Sequence, residues 1–419
     1  MDTMIQEPQV VYQGSNTATY RTVLFALCFL SSALGGTVST LMSVYLPVVV
    51  KELQGDQSAE QMNTISGYIN ALFIFGWALG GFSWGMICDN LGRKKSLLLS
   101  IGCYGLFTML TGFMQNWYGI VLCRFMSGFG VGGVLVVSFT LISEIWPTKS
   151  KAIYTGILSI AFPVGIFSAG VINNIVSSWR EGFYVGIIPV LIALVGIWAI
   201  QESDQWVNHR INKALAPDKS KALFSPVNRK QLFISSITFG TMLVGLWAIF
   251  SWLPTWVQSI STGDAQKERG LSMMFLGMGG LSGGFISGWF VNMAGLRRSM
   301  IICFSVCSVF SFLLFKTNTV FTPMIYAEIA MLALFFGISQ GVLSVYVPQL
   351  FPTAVRASAT GFSFNIGRIF TGLAVLFVGV LVNYLGGYSN AIFIFSLVFI
   401  IGLIVVIFVT DYKITNHNQ

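Results

Sequence analysis

Long apolar runs, cut by short charged or turn-forming breaks, fill most of the 419-residue chain. They fall at 22–50, 61–88, 96–114, 117–144, 152–176, 180–200, 232–260, 270–294, 299–315, 321–348, 357–383 and 388–410. A helix needs about 20 apolar residues to cross the hydrocarbon core of a bilayer. The pattern therefore predicts an all-α membrane protein with twelve transmembrane helices. Several runs are longer than the minimum, so tilts or kinks are expected. Pro47, Pro163, Pro189 and Pro254 lie inside or near the ends of runs, where membrane helices tolerate them. The longest polar stretch, 201–231, follows the sixth run. It divides the chain into a six-helix bundle at 1–200, a central linker at 201–231 and a second six-helix bundle at 232–419.

Composition narrows the class. Hydrophobic residues make up 55% and charged residues 9%, against roughly 25% charged in a soluble domain. Soluble enzymes and nucleic-acid binders are excluded on that ground. The net charge of +8 has a topological explanation instead. With the N-terminus placed in the cytoplasm, sixteen of the 23 Lys and Arg residues fall on the cytoplasmic side and five on the outer side. That bias follows the positive-inside rule and predicts both termini inside, in the inner (cytoplasmic) membrane if the protein is bacterial. The two histidines, His209 and His417, lie in polar segments, which argues against intramembrane histidine catalysis or haem ligation. The six cysteines lie in or beside apolar runs with no Cys-x-x-Cys pair, so they are expected to be core residues. The polar start, 1–19, lacks the marks of a signal peptide.

The halves repeat each other. Gly85-Met-Ile-Cys-Asp89-Asn-Leu-Gly92-Arg93-Lys94-Lys95 after the second run matches Gly288-Trp-Phe-Val-Asn292-Met-Ala-Gly295-Leu-Arg297-Arg298 after the eighth, at an offset of 203. Glu144-Ile-Trp-Pro147-Thr148-Lys149-Ser-Lys151 after the fourth run matches Gln349-Leu-Phe-Pro352-Thr353-Ala-Val-Arg356 after the tenth, at an offset of 205. On these motifs the chain resembles the major facilitator superfamily of transporters. Glu144 to Pro147, Pro352-Thr353 to Arg356, and Glu202-Ser203 resemble its sugar and organic-ion (metabolite:proton symporter) porters, with Gln201 where that group has proline. The resemblance implies two pseudo-symmetric bundles, a central substrate site and rocking alternating access. It also implies that the loop at Gly85–Lys95 controls the outward-open state. Gating is then expected from Gly85, Asp89, Gly92, Arg93, Glu144 and Arg356, with Asp89 paired to Arg93 or facing the positive N-terminus of the eleventh helix. Either contact is expected to latch the two halves on the cytoplasmic side. The plainer alternative is a topogenic basic cluster.

Charges inside the runs carry the sharpest functional signal. Arg368 lies about 11 residues, or about 17 Å, into the eleventh run, near the midplane. Gly361, Asn365, Arg368 and Gly372 recur at helical spacing as a polar, small-residue stripe. A guanidinium there can hold a carboxylate by two parallel hydrogen bonds; the alternative is capture by a neighbouring helix's carbonyls. Arg124 and Glu328 sit at nearly equivalent depths in the two halves, since 124 plus 205 falls one residue from 328. Glu328 is the acid set deepest in a run, and a buried carboxylate can load and release a proton; permanent pairing with an arginine, or contact with outer water, is the alternative. Trp252 and Trp256, one turn apart, and Tyr346 are further candidates for the substrate site, ahead of Tyr45, Trp77 and Trp247. Each of these aromatics could equally pack in the core or sit in an interface belt.

The favoured reading is a secondary active permease that moves a small organic anion, a carboxylate, by proton-coupled symport. A neutral sugar or polyol porter is supported by the loop motifs but not by the first run, which has no acid between Thr22 and Pro47. Drug efflux, or a non-transporting membrane sensor with a transporter fold, also fits the span pattern. The expected partners are an anionic solute, protons and the lipid bilayer, with the protein a monomer. No nucleic acid, cofactor or metal is expected, and the protein is not expected to be an enzyme.

Overall fold

The computed structural model describes residues 17–55, 58–211, 224–351 and 356–408. The predicted features at His417, Lys413, Lys213, Lys219, Lys221, Pro352 and Thr353 lie outside the described residues, as do the side chains of His209 and Arg356. Among the described residues there are helices and no strands. The spans are Ala18–Gln54, Ala59–Leu91, Arg93–Thr111, Trp117–Ile145, Thr148–Ser159 with Ala161–Ile175, Trp179–Phe183 through Ile187–Ala199, Pro226–Ile260, Gln266–Ala294, Leu296–Phe312, Met324–Gln349, Arg356–Leu381, and Tyr388–Ser396 with Val398–Phe408. We number them 1 to 12. Eleven are long and apolar enough to cross a membrane. Span 3 falls short because its first turn is Arg93-Lys94-Lys95.

The departures from the predicted boundaries have local causes. Span 3 begins three residues early because Gly92, at φ 97°, turns the chain directly into the helix. Only glycine adopts that backbone without strain. Span 5 breaks at Ile160, just ahead of Pro163, whose missing N–H removes the bond back to Ser159. A 3₁₀ turn, Tyr184–Gly186, interrupts span 6 ahead of Pro189 for the same reason. Pro47 and Pro254 lie inside continuous helices. The polar stretch 201–231 holds a short helix, Asp204–Ile211, and span 7 starts inside it, at Pro226.

Glycines set how closely the spans approach. Span 2 packs on span 4, and span 8 packs on span 10 in the same way. A Cβ on Gly76 would meet the Phe125 carbonyl oxygen at 2.0 Å, and one on Gly80 the Phe129 oxygen at 2.1 Å. Their counterparts 203 residues on, Gly279 and Gly283, would meet the Ala330 and Leu334 oxygens at 2.2 and 1.9 Å. Gly132 and Gly337, 205 apart, complete the two crossings from the other side. The repeat in the loop motifs is thus a repeat in backbone packing. Without a hydrophobic drive between helices in lipid, such close contact supplies the association.

The halves meet along two seams, span 2 against span 11 and span 5 against span 8. Contact runs from the end away from the basic loops down to Gly81 on Asn365, with Phe82 edge-on to Phe362 at 6.5 Å, and to Gly284 near Ile160. Beyond those points Gly85, Gly288 and Gly361 face open space. Among the described residues the halves are joined at one end and part toward the end that carries Arg93–Lys95 and Arg297–Arg298.

Gly283→Ala is expected to destabilise the fold by about 1–3 kcal/mol, the usual cost of overpacking. Gly102→Ala, whose new methyl would meet only Ala193 at 3.9 Å, is expected to change stability by less than about 0.5 kcal/mol. Thermal unfolding of the two purified variants in one detergent checks the contrast.

Candidate functional site

The polar stripe of span 11 delivers Arg368 to the interface between the halves. Its side chain is buried, and its guanidinium carbon lies 4.3 Å from the ring centre of Trp77 on span 2 and 4.0 Å from that of Phe364. Nη1 donates to Asn365 Oδ1 at 3.0 Å. Among the described residues no carboxylate pairs with it. Rings cover the guanidinium and one nitrogen is anchored, which leaves N–H donors without an anionic partner.

Asn365 owes its place to a missing side chain across the seam. A Cβ on Gly81 of span 2 would lie 2.2 Å from Asn365 Oδ1. Asn365 Nδ2 donates to Gly361 O at 3.0 Å, which turns Oδ1 toward Arg368. Aromatic rings extend the group. Trp77 stacks on Phe162 of span 5 at 5.4 Å and meets Trp247 of span 7 edge-on at 5.2 Å. Phe250 joins Trp247 to Phe336 of span 10. Five spans from both halves therefore converge on one cation with apolar, π-rich walls. Such a place suits an anion with a flat or apolar body.

The remaining predicted substrate residues lie elsewhere. Arg124 is buried, but Nη1 and Nη2 donate to the Val38 and Ser39 carbonyls of span 1 at 2.9 and 3.5 Å, and its guanidinium lies on Phe73. Capture by a neighbouring helix's carbonyls is thus the fate of Arg124 and not of Arg368. Trp252 and Trp256 are fully buried in packing. Their indole N–H groups donate to Val375 O at 3.0 Å and Ser389 Oγ at 2.8 Å. Tyr346 sits ten residues beyond Phe336, toward the basic end of span 10. Glu328 is partly buried in the second turn of span 10, where it accepts from Asn318 Nδ2 at 2.7 Å. It is shallower than the apolar run suggested, because the helix starts at Met324.

Of the predicted gating residues, Asp89, Arg93 and Glu144 form one charged network together with Glu202 and Ser203. Arg93 donates through Nε and Nη2 to Glu144 at 3.0 and 2.9 Å. Ser203 Oγ also donates to Glu144. The Glu202 carboxylate accepts from the backbone N–H of Arg93 at 2.8 Å and of Lys94 at 3.2 Å, so it caps span 3 where the helix dipole favours an anion. A Cβ on Gly92 would strike Glu202 Oε2 at 2.1 Å, a second reason for glycine there. Asp89 pairs with Arg93 at 3.2 Å, but its side chain is 75% exposed, whereas those of Arg93 and Glu144 are 13% and 12% exposed. The Asp89–Arg93 contact lies inside one half, which corrects the expectation that this pair would itself join the halves. Gly85 faces open space, and the side chain of Arg356 lies outside the described residues.

At the closed end the bridges between halves are mostly uncharged. Asn63 Nδ2 donates to Asn383 Oδ1 at 3.0 Å, and Tyr388 donates to Asn63 Oδ1. Asn173 and Gln266 exchange side-chain-to-backbone bonds at 2.8 and 2.6 Å, and Asn70 donates to Ser251 O at 3.1 Å. Tyr384 donates to Glu60 at 3.3 Å.

Comparison with known proteins agrees with this architecture. The sequence profile described as Major Facilitator Superfamily matches residues 25–375. The chain is 26% identical over 405 residues to the cis,cis-muconate transport protein of Acinetobacter baylyi, covering 93% of this chain and 94% of that one. It is 29% identical over 320 residues to the sialic acid transporter NanX of Escherichia coli, covering 74% and 75%. The inward open conformation of the xylose transporter XylE from E. coli superposes with a TM-score of 0.77 at 15% identity, covering 94% and 98%.

The network separates two kinds of carboxylate. Glu144→Gln breaks a largely buried, doubly bonded pair and is expected to lower stability by on the order of 3 kcal/mol. Asp89→Asn removes an exposed pair and is expected to cost less than about 1 kcal/mol. Paired thermal melts of the variants test the order; equal losses would show that Asp89 bears as much of the network as Glu144.

Proposed function

The chain belongs to the major facilitator superfamily and is a multi-pass membrane transporter, not an enzyme; on that premise we propose that its cargo is a small organic carboxylate, moved by proton symport. One observation carries the reading: Arg368 is buried at the meeting of the halves with no carboxylate among the described residues beside it. Two relatives named for organic acids support the same class. A neutral sugar would leave the guanidinium unpaired, and the first span has no acid between Thr22 and Pro47.

In this reading the basic end is cytoplasmic, as are both termini, and the bacterial inner membrane is the location. The structure is then inward-facing. The units are the bundles 1–200 and 232–419 with the linker 201–231 between them. Gating falls to the Arg93 network as the basic ends close.

The buried cation also supplies a reason to move only when loaded. Enclosing an unpaired guanidinium in low dielectric is costly, and a bound carboxylate removes much of that cost. The anion therefore favours the occluded passage between the two open states, and differential affinity is what shifts such an equilibrium. Glu328 is the proposed proton group. It stands at the outer end of span 10, apart from Arg368, so it would take its proton from the outer side before the anion moves.

In a thermal-shift panel of carboxylates, sugars and cationic drugs, only carboxylates are expected to raise the melting temperature of the wild type. Arg368→Ala is expected to weaken that binding more than about 100-fold, and Arg368→Lys to restore little, since an ammonium lacks the planar fork. Stabilisation by a sugar or a cation alone would sink the reading. For the proton, Glu328→Gln in liposomes is expected to abolish accumulation driven by a pH gradient yet keep substrate counterflow. Accumulation at the wild-type level would remove Glu328 from coupling.

A further inference from the structure

One polar atom in the aromatic group is fully enclosed without a partner. The indole nitrogen of Trp77 is enclosed and makes no hydrogen bond. Four more buried tryptophans show the contrast. Trp84 donates to Phe129 O, Trp179 to Glu52, Trp252 to Val375 O and Trp256 to Ser389. An indole nitrogen is a donor only, so a tautomer or a rotated hydroxyl cannot relieve it. Leaving a buried donor unmade is expensive, and such groups are few in native proteins.

Its position says what would relieve it. The Trp77 ring lies face-on to the Arg368 guanidinium at 4.3 Å, so its N–H is within a ring's radius of that contact. The neighbouring cation makes the region favourable to acceptors. Phe162, Trp247 and Phe73 around the ring bring no acceptor side chain. The missing acceptor is therefore expected from outside the protein.

We propose that the Trp77 N–H is a second anchor for the cargo, taking an acceptor atom other than the carboxylate oxygens. The transporter then selects carboxylates that carry an additional acceptor on the body of the molecule over simple carboxylates of the same shape. This rests on the reading of Arg368 as the carboxylate site. Arg368 supplies the charge requirement, and Trp77 supplies the preference among anions.

The test uses acids of one shape that differ by a single acceptor: benzoate against nicotinate and isonicotinate, and cyclohexanecarboxylate against tetrahydropyran-4-carboxylate. Affinities are measured on the purified full chain at pH 7.5. The wild type is expected to prefer at least one acceptor-bearing acid to its partner by about tenfold, the scale of one hydrogen bond. Trp77→Phe keeps a ring and removes the donor, and it is expected to weaken the acceptor-bearing acid about tenfold more than the simple acid, which abolishes the preference. Trp252→Phe, which loses the bond to Val375, is expected to lower stability and keep the preference. A wild type without preference overturns the proposal, as does equal weakening of both acids in Trp77→Phe, which would put the N–H on the carboxylate itself. Failure of all these acids to bind while another carboxylate binds through Arg368 overturns it too, and leaves the Arg368 reading standing. If no carboxylate binds at all, both fall.

Discussion

A guanidinium held near the middle of a membrane protein without a counter-charge is the constraint around which the other features arrange themselves. Arg368 needs its faces covered, and Trp77 and Phe364 cover them. It needs one nitrogen fixed, and Asn365 fixes it. Asn365 in turn needs room, and Gly81 on the opposite half leaves that room. The site is therefore not a property of span 11 alone. It exists where two halves of the chain touch, so any relative movement of the halves changes the surroundings of the charge. On the proposed function, this is the physical link between a bound anion and a conformational cycle.

The scaffold that permits such movement is built from backbone contact. Spans 2 and 4, and their counterparts 8 and 10, press together at glycines that leave no room for a methyl group. Each bundle can then move as a stiff body, because its internal crossings have no slack. The seams between the bundles are different in kind, being partly open at the basic end. Glycine–carbonyl contacts also join the halves at the closed end, at Gly170, Gly379 and Gly67, and they stop toward the basic end.

The span pattern could be taken from the sequence because an unbroken apolar run of about 20 residues fits a spanning helix and not the short alternating strands of a barrel. The breaks in spans 5 and 6 needed the consequences of Pro163 and Pro189 worked out residue by residue. Arg368 and Asn365 stood out because a charge at such depth is costly and their spacing is helical. The aromatic partners did not stand out. Trp247, Trp252 and Trp256 all sit on span 7, but five residues turn a helix by roughly 140°. Trp247 therefore faces Trp77 while Trp252 and Trp256 face spans 11 and 12. Hydropathy carries no information about which face of a wholly apolar helix meets the centre. Arg124 shows the same limit: its depth matched a functional charge, and only the carbonyls of span 1 explain its use.

The closed end has a further consequence for the setting in which the protein works. Its bridges are carboxamides and phenols, with Glu60 as the exception, and none of the bridging amides changes charge with acidity. On the proposed orientation this end meets the surroundings of the cell, whose salinity and acidity vary, while the ionic network meets a regulated cytoplasm. A door latched by neutral groups keeps much the same strength in brackish, acid or dilute surroundings. On that orientation the joints between the halves on the outer side are largely neutral, and the charged pairs there, Arg180–Glu52 and Arg269–Asp264, each stay within one half.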